Sequence, residues 1–337
     1  MTDQSKHIKK FTSINKRIIS FSNICSIFSI FLLILLLKNP IIAHISVSNS
    51  LKQCVSFIIP SLFPLMIASE IATESGAINS ITQFLQAPIS KIFGVSKNAT
   101  PPFFLGLVGG YVSSVNSAIS LYKNGKISRN DCERMICFSN FPSLAFFINF
   151  IGIGIYKNST VGWVLWLISI LSSVLIGILE QIIIKFFTKS QTHTPPQLYV
   201  SNDTASKSSQ IKSISKIIVS AISHSAQSML IICGCIVFFS TLIDIIKYPI
   251  DSLCINEEIK HIILGSIELT NGINSCINLK NSIFKIGSIA FFVGWSGICV
   301  HFQIISLCEN TDLSFKKYFL FKLLHGLICS IITILVI

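Results

Sequence analysis

The run from Ile18 to Leu37 carries no charged side chain and ends in Phe-Leu-Leu-Ile-Leu-Leu-Leu. Wound as a helix at about 1.5 Å per residue, it is long enough to cross roughly 30 Å of hydrocarbon. Comparable apolar windows recur at roughly Val55–Ala72, Met135–Tyr156, Val161–Phe187, Ile217–Ile246, Ile286–Leu307 and Tyr318–Ile337. Two further apolar regions, Ala77–Tyr122 and Ile259–Leu279, are interrupted by polar and glycine residues. Only 12% of the chain is charged, against about 25% in a soluble domain, so a water-facing surface cannot be assembled. The expected fold is an all-α polytopic membrane protein with about seven to eight transmembrane helices, its first partner the lipid bilayer.

The net charge of +12 does not point to nucleic acid. The Lys and Arg residues sit in short clusters between apolar spans, as the positive-inside rule requires of cytoplasmic loops, with no basic stripe interleaved with aromatics. The basic start, Met1–Arg17, precedes a run too long for a signal-peptide core and is followed by Lys38-Asn39-Pro40 rather than small residues, so a retained first helix is expected. Eleven cysteines include no Cys-x-x-Cys pair; the closest spacing is Cys233-Gly-Cys235 within an apolar run. Thiols there pack as small hydrophobes, and neither a metal site nor a cofactor is expected. No Gly-x-Ser-x-Gly, His-Glu-x-x-His, phosphate-binding loop or Gly-x-Gly-x-x-Gly motif occurs, so an enzyme is not expected.

Charge also orients the chain. The tail 1–17 carries Lys6, Lys9, Lys10, Lys16 and Arg17 against Asp3 and belongs in the cytoplasm. Lys123, Lys126, Arg129 and Arg134 mark the loop before the 135–156 span, and Lys189, Lys207, Lys212 and Lys216 mark the loop after Phe187. Both loops can be cytoplasmic only if the 77–122 region enters and leaves on one side. That reasoning implies two re-entrant hairpins, near 77–122 and 259–282. The segment 189–213, rich in Ser, Thr, Gln and Pro, reads as a cytoplasmic linker between a first membrane half, 18–188, and a second, 214–337.

The halves resemble one another. Gly106-Leu-Val-Gly109-Gly110-Tyr-Val-Ser113-Ser114-Val-Asn116 can be laid beside Gly265-Ser-Ile-Glu268-Leu-Thr270-Asn271-Gly272-Ile-Asn274-Ser275. In each half an apolar helix with polar insertions follows, Phe138-Ser-Asn140-Phe-Pro142-Ser143 and Gly294-Trp295-Ser-Gly297-Ile-Cys-Val-His301-Phe-Gln303. Gly-interrupted segments at matching positions of two halves point to a transporter site. An ionisable side chain at membrane depth costs at least about 2.5–3.5 kcal/mol, so each needs a reason. Glu70, Glu268 and His301 stand out, although Glu70 can simply lie at an interface. Asn271-Gly272 favours a turn, so the helix is expected to stop and restart there. The freed backbone groups, with Thr270 and Asn271, would coordinate a solute, and the half-helix N-terminus would favour an anion. His301 and Gln303, after Gly294 and Gly297, suggest a Glu268–His301 pair, whereas His325 reads as structural. The candidate site is therefore Glu268, Thr270, Asn271, Gly272, His301 and Gln303 from the second half, with Gly109, Gly110, Ser113, Ser114, Asn116 and Asn140 from the first.

Three C-terminal motifs, Glu268-Leu-Thr-Asn-Gly-Ile, Gly294-Trp-Ser-Gly-Ile-Cys-Val-His-Phe-Gln303 and Asp312-Leu-Ser-Phe-Lys-Lys-Tyr-Phe-Leu-Phe-Lys-Leu-Leu-His-Gly326, resemble the YlbJ-type sporulation integral membrane proteins, which group with nucleoside-recognition gate-domain proteins. Pro60-Ser-Leu-Phe-Pro64, Gly109-Gly110-Tyr111 and Lys-Asn-Gly-Lys-Ile-Ser128 extend the likeness over most of the chain. The family pattern Gly-Gly-Tyr-Pro-Ser-Gly is here Gly109-Gly-Tyr-Val-Ser-Ser114, and Asn-Asn-Ser-Gly-Pro is here Ser139-Asn-Phe-Pro-Ser143. These departures bear on the shape of the first hairpin. The resemblance implies a fold distantly like concentrative nucleoside transporters and movement of a small anionic solute, dipicolinic acid, across the outer forespore membrane toward the forespore. It leaves room for a coupling proton or cation, with Glu268 either carrying that proton or bracing its hairpin. It also leaves room for a homo-oligomer or other forespore-envelope partners. A non-transporting scaffold or assembly factor for spore maturation is the alternative.

Overall fold

The computed structural model describes residues 23–24, 26–187, 213–251 and 255–336. The N-terminal tail, the first residues of the 18–37 span and the linker 189–212 lie outside them. Among the described residues every regular element is helical: α1 (Ser26–Lys38), then α2 (Pro40–Gln53), α3 (Ile59–Glu74), α4 (Ala77–Phe93), α5 (Pro101–Gly109), α6 (Tyr111–Lys123), α7 (Arg129–Phe138), α8 (Ser159–Phe187), α9 (Ile214–Asp251), α10 (Glu257–Ile267), α11 (Leu269–Ser275), α12 (Ser282–Trp295), α13 (Gly297–Leu307) and α14 (Lys316–Val336). Two segments, Cys54–Ile58 and Phe146–Ile155, are wound more loosely, with π-type geometry. The first of these joins α2 to α3 in one continuous 35-residue rod, Pro40–Glu74.

Among the described residues, five helical stretches are long and apolar enough to cross a membrane: Pro40–Glu74, Ser159–Phe186, Ile214–Asp251, Ser282–Leu307 and Lys316–Val336. The window Met135–Tyr156, which reads as one span in sequence, is divided: α7 ends at Phe138 and the loose segment begins at Phe146. Ile286–Leu307 is likewise broken between Trp295 and Gly297. Pro142 explains the first break, because proline removes a donor and clashes with the preceding turn.

The apolar side of the long helices faces outward. On α8, Leu167, Leu171, Leu175 and Leu179 repeat every four residues and are exposed, while Ser169, Ser172, Ser173 and Glu180 are buried. On α14, Leu320, Leu323, Leu327 and Ile331 face out, and Lys322, His325, Cys329 and Thr333 face in. A water-soluble bundle shows the reverse stripe. This inversion, with apolar side chains outside and polar ones within, defines a polytopic membrane protein. Two apolar clusters fill the interior between the polar groups, one around Phe147, Phe150, Ile273 and Phe292, the other around Phe93, Phe138, Phe141 and Phe321. α12 and α14 touch at the backbone: a β-carbon on Gly294 would sit 2.6 Å from the Gly326 Cα. Small residues at such crossings are how membrane helices approach closely.

Arg134 and Glu180 form a buried ion pair at 3.5 Å, with side chains 4% and 2% exposed. The same guanidinium donates to the Phe93 and Gly94 carbonyls, closing the C-terminus of α4 onto α7 and α8. Removing one partner leaves the other charge buried and uncompensated, which costs about 3–5 kcal/mol. Arg134→Ala is expected to lower the midpoint of thermal unfolding in detergent, and Arg134→Met with Glu180→Met to recover part of the loss. A single variant as stable as the parent would show that the pair holds nothing together.

Candidate functional site

Each half contains a helical hairpin. A β-carbon on Gly106 would lie 3.3 Å from the Ser114 side chain, and one on Gly272 would lie 2.6 Å from the Gly265 Cα. Residues seven or eight apart in a continuous helix are separated by about 10–12 Å, so the chain reverses at both places. In the first half the reversal is Gly110, with φ 79° and ψ −170°, a region essentially reserved for glycine. In the second half it is Glu268, in extended conformation at φ −136°.

The second reversal corrects the sequence reading. Asn271 and Gly272 lie inside α11 and do not break the helix. The break is made three residues earlier by the Glu268 side chain, whose carboxylate accepts from the Thr270 amide (3.0 Å), the Thr270 hydroxyl (2.6 Å) and the Asn271 amide (2.7 Å). Gly272 serves close packing against Gly265, where any side chain would collide with backbone.

A second break packs on each hairpin. A β-carbon on Gly110 would lie 2.9 Å from the Ser143 amide nitrogen, in the 139–143 break. A β-carbon on Gly297 would lie 3.1 Å from the Leu269 amide nitrogen; Ser296 and Gly297 both carry positive φ, at 73° and 81°. The four breaks thus meet in pairs, in the same way in both halves.

Between the pairs lies a cavity with about 550 Å³ of atom-free space, its mouth included. Gly109, Gly110, Tyr111, Pro142 and Ser143 line it from the first half, and Glu268, Leu269, Thr270, Cys299 and Gln303 from the second. Leu62, Met66, Ile232 and Ile236 of α3 and α9 complete an otherwise apolar wall. The Tyr111 hydroxyl donates to Gln303 Oε1 at 3.0 Å, joining the two halves across the space.

Of the residues singled out in sequence, Gly109, Gly110, Glu268, Thr270 and Gln303 line this cavity. Ser113 is buried beside it, and Ser114 bonds Ser139 at 2.7 Å, tying α6 to the end of α7. Asn116 and Asn271 are half-buried and off the lining. Glu268 and His301 form no mutual bond. His301, 1% exposed, turns away from the lining to Tyr318, whose hydroxyl lies 2.7 Å from His301 Nδ1. Asn140 Nδ2 donates to that same hydroxyl at 3.2 Å, and the Asn140 carbonyl accepts from Lys322 at 2.7 Å. Lys322, fully buried in α14, and Tyr111 are additions that sequence reasoning passed over. A lysine within an apolar run was the available signal for the former.

The chain is a helical membrane protein whose interior is built from paired helix breaks around a cavity shared by its two halves. It is 22% identical over 332 residues to the sporulation integral membrane protein YlbJ of Bacillus subtilis (strain 168), an alignment covering 91% of this chain and 81% of that protein. The likeness supports placing the chain with the YlbJ-type sporulation integral membrane proteins. No protein-family model and no solved structure matches it.

The capping role of Glu268 is open to test. A side-chain cap contributes about 0.5–2 kcal/mol, so thermal stability should fall in the order parent, Thr270→Val, Glu268→Gln, Glu268→Ala. A Glu268→Ala chain that unfolds at the parent's temperature would remove the carboxylate from the hairpin's support.

Proposed function

We propose that the chain is a transporter moving a small anionic solute, dipicolinate, across the outer forespore membrane toward the forespore. The observation that carries the reading is the cavity on which chain breaks from both halves converge, because irregular backbone at membrane depth is tolerated where it lines a path or a site. The sporulation role named for the Bacillus subtilis relative supplies the context, and dipicolinate, a pyridine dicarboxylate, suits a pocket combining apolar walls with hydroxyl, amide and backbone N–H donors.

The two hairpins differ in what they offer an anion. The N-terminus of α11 is already filled by the Glu268 carboxylate, which favours the bracing role of that residue over a proton-carrying one. The N-terminus of α6 has no side-chain cap at Gly110. Beside it, Ser69 of α3 is 5% exposed, its hydroxyl has no partner, and it would lie 2.8 Å from a β-carbon on Gly109. The anionic end of the solute therefore belongs at Gly109–Gly110 and Ser69, with Tyr111 and Gln303 over the ring.

Spores carrying Gln303→Leu or Tyr111→Phe, at unchanged membrane abundance and unchanged dipicolinate synthesis, are expected to contain severalfold less dipicolinate. Normal content in these variants would sink the site, and normal content after full deletion would sink the transport reading. A scaffold would instead tolerate cavity changes and fail on substitution of its outward-facing leucines.

A further inference from the structure

Lys322 is fully buried and forms no ion pair with a carboxylate among the described residues. Its ammonium donates to the Asn140 carbonyl at 2.7 Å and faces His325 Nδ1 at 3.4 Å. His325 Nε2 lies 3.1 Å from the Ser169 carbonyl, which can only accept. The neutral ring therefore carries its hydrogen on Nε2 and presents a lone pair on Nδ1 to Lys322. A proton on the amine can pass to that lone pair, and the resulting imidazolium would keep its bond to Ser169. On the other side, Asn140 Nδ2 donates to the Tyr318 oxygen, which also lies 2.7 Å from His301 Nδ1. His301 Nε2 and Asn140 Oδ1 are left without partners.

Among the described residues the surroundings hold no compensating charge. From α7 the titratable neighbour is Cys137, from α14 itself His325 and Cys329, and from α13 His301, which senses the lysine's charge. The facing side chains of α8 are the neutral Ser169 and Ser172, beside Cys329, and α12 presents the Gly294 carbonyl to His325. Glu180, the buried carboxylate of α8, is held by Arg134. An ammonium in such a place is stabilised by dipoles alone, which recover only part of the cost of leaving water.

The position is mechanically connected to the cavity. Asn140 lies in the 139–143 break, and Pro142 and Ser143 of the same break line the cavity beside Gly110. A charge-assisted bond is roughly twice as strong as a neutral one, so loss of the proton from Lys322 loosens its hold on the Asn140 carbonyl. Proton occupancy and cavity shape are thereby linked, and by reciprocity solute binding shifts the proton.

We infer that Lys322, seated between the Asn140 carbonyl and His325, binds and releases a coupling proton during the transport cycle. This inference rests on the transport reading and replaces Glu268 in that role.

The test uses the full chain in liposomes at zero membrane potential, with dipicolinate as solute. One coupled proton and a one-unit pH gradient support about tenfold accumulation. Lys322→Arg, which keeps the charge but cannot release it, and Lys322→Met are both expected to bring that accumulation down toward onefold, relative to their dipicolinate-for-dipicolinate exchange. Tenfold accumulation retained by Lys322→Arg would overturn the inference, because the charge alone would then suffice. Absence of any dipicolinate exchange by the parent would instead sink the dipicolinate reading. In that event nitrogen-15 solid-state spectra of lysine-labelled chain, differenced against Lys322→Arg, decide the proton site. A Lys322 signal passing between ammonium and amine across physiological pH supports it, and a signal fixed in one form overturns it.

Discussion

Every interruption of a helix at membrane depth releases backbone N–H and C=O groups that lipid cannot satisfy. Among the described residues four helix breaks meet in the interior, and the rest of that interior is arranged to supply the missing partners. The Thr270 and Asn271 amides are met by Glu268. The carbonyl of Ser266, at the end of α10, accepts from Trp295 Nε1 at 2.9 Å. The Phe138 carbonyl, where α7 stops, accepts from Ser173 of α8, and the Asn140 carbonyl accepts from Lys322 of α14. In each of the last three cases the donor comes from a different helix, so repairing the break also fixes where that helix must sit.

That arrangement accounts for the inverted stripe on α8 and α14. Ser173 and Lys322 point inward because orphan carbonyls wait there, and once those faces are polar the leucines have only the lipid side left. The same logic ties the halves together. Tyr111 reaches Gln303, Asn140 reaches Tyr318, and at one end Tyr122 and Arg129 both hold Asp312, at 2.6 and 3.2 Å. The exposed pair at Asp312 contributes little by itself, but it sets the 123–128 turn beside the loop before α14. Movement of one hairpin relative to the other must exchange the buried bonds and not merely slide apolar surface.

Membrane class was legible because twenty uncharged residues leave a soluble chain no alternative. The spans were legible in part, since the Met135–Tyr156 window is divided and five stretches among the described residues are long enough to cross. That the chain would reverse within these regions was legible too, since Gly109-Gly110 and Glu268-Leu-Thr270 interrupt apolar sequence at corresponding places. Which residue makes the second turn was not. Asn-Gly is a strong local turn signal, but tertiary packing of Gly272 on Gly265 and a buried acid three residues earlier outcompete it. Local chemistry cannot reveal that a glutamate will cap its own half-helix instead of facing histidine. Lys322 and Glu180 were within reach, because the cost argument that drew attention to Glu268 and His301 applies equally to them. Their partners, Asn140 and Arg134, lie 182 and 46 residues away in sequence, a separation only the fold can close.

The two hairpins share a plan and differ in one chemical decision. At Gly110 the turn is made by a residue with no side chain, so the N-terminus of α6 has no side-chain cap. At Glu268 the turn is made by a residue whose side chain occupies the amides it has just exposed. A carboxylate engaged by three donors is stabilised in place and has little acceptor capacity left for anything entering the cavity. The second hairpin is thus closed on itself, its exposed amides already engaged by Glu268, whereas the first has no side-chain cap, at a point where the Ser69 hydroxyl also lacks a partner. An internal repeat with identical ends would have no preferred orientation for a charged guest. In the transport reading proposed above, the carboxylate in one copy and glycine in the other would give the cavity a receptive side and a supporting side.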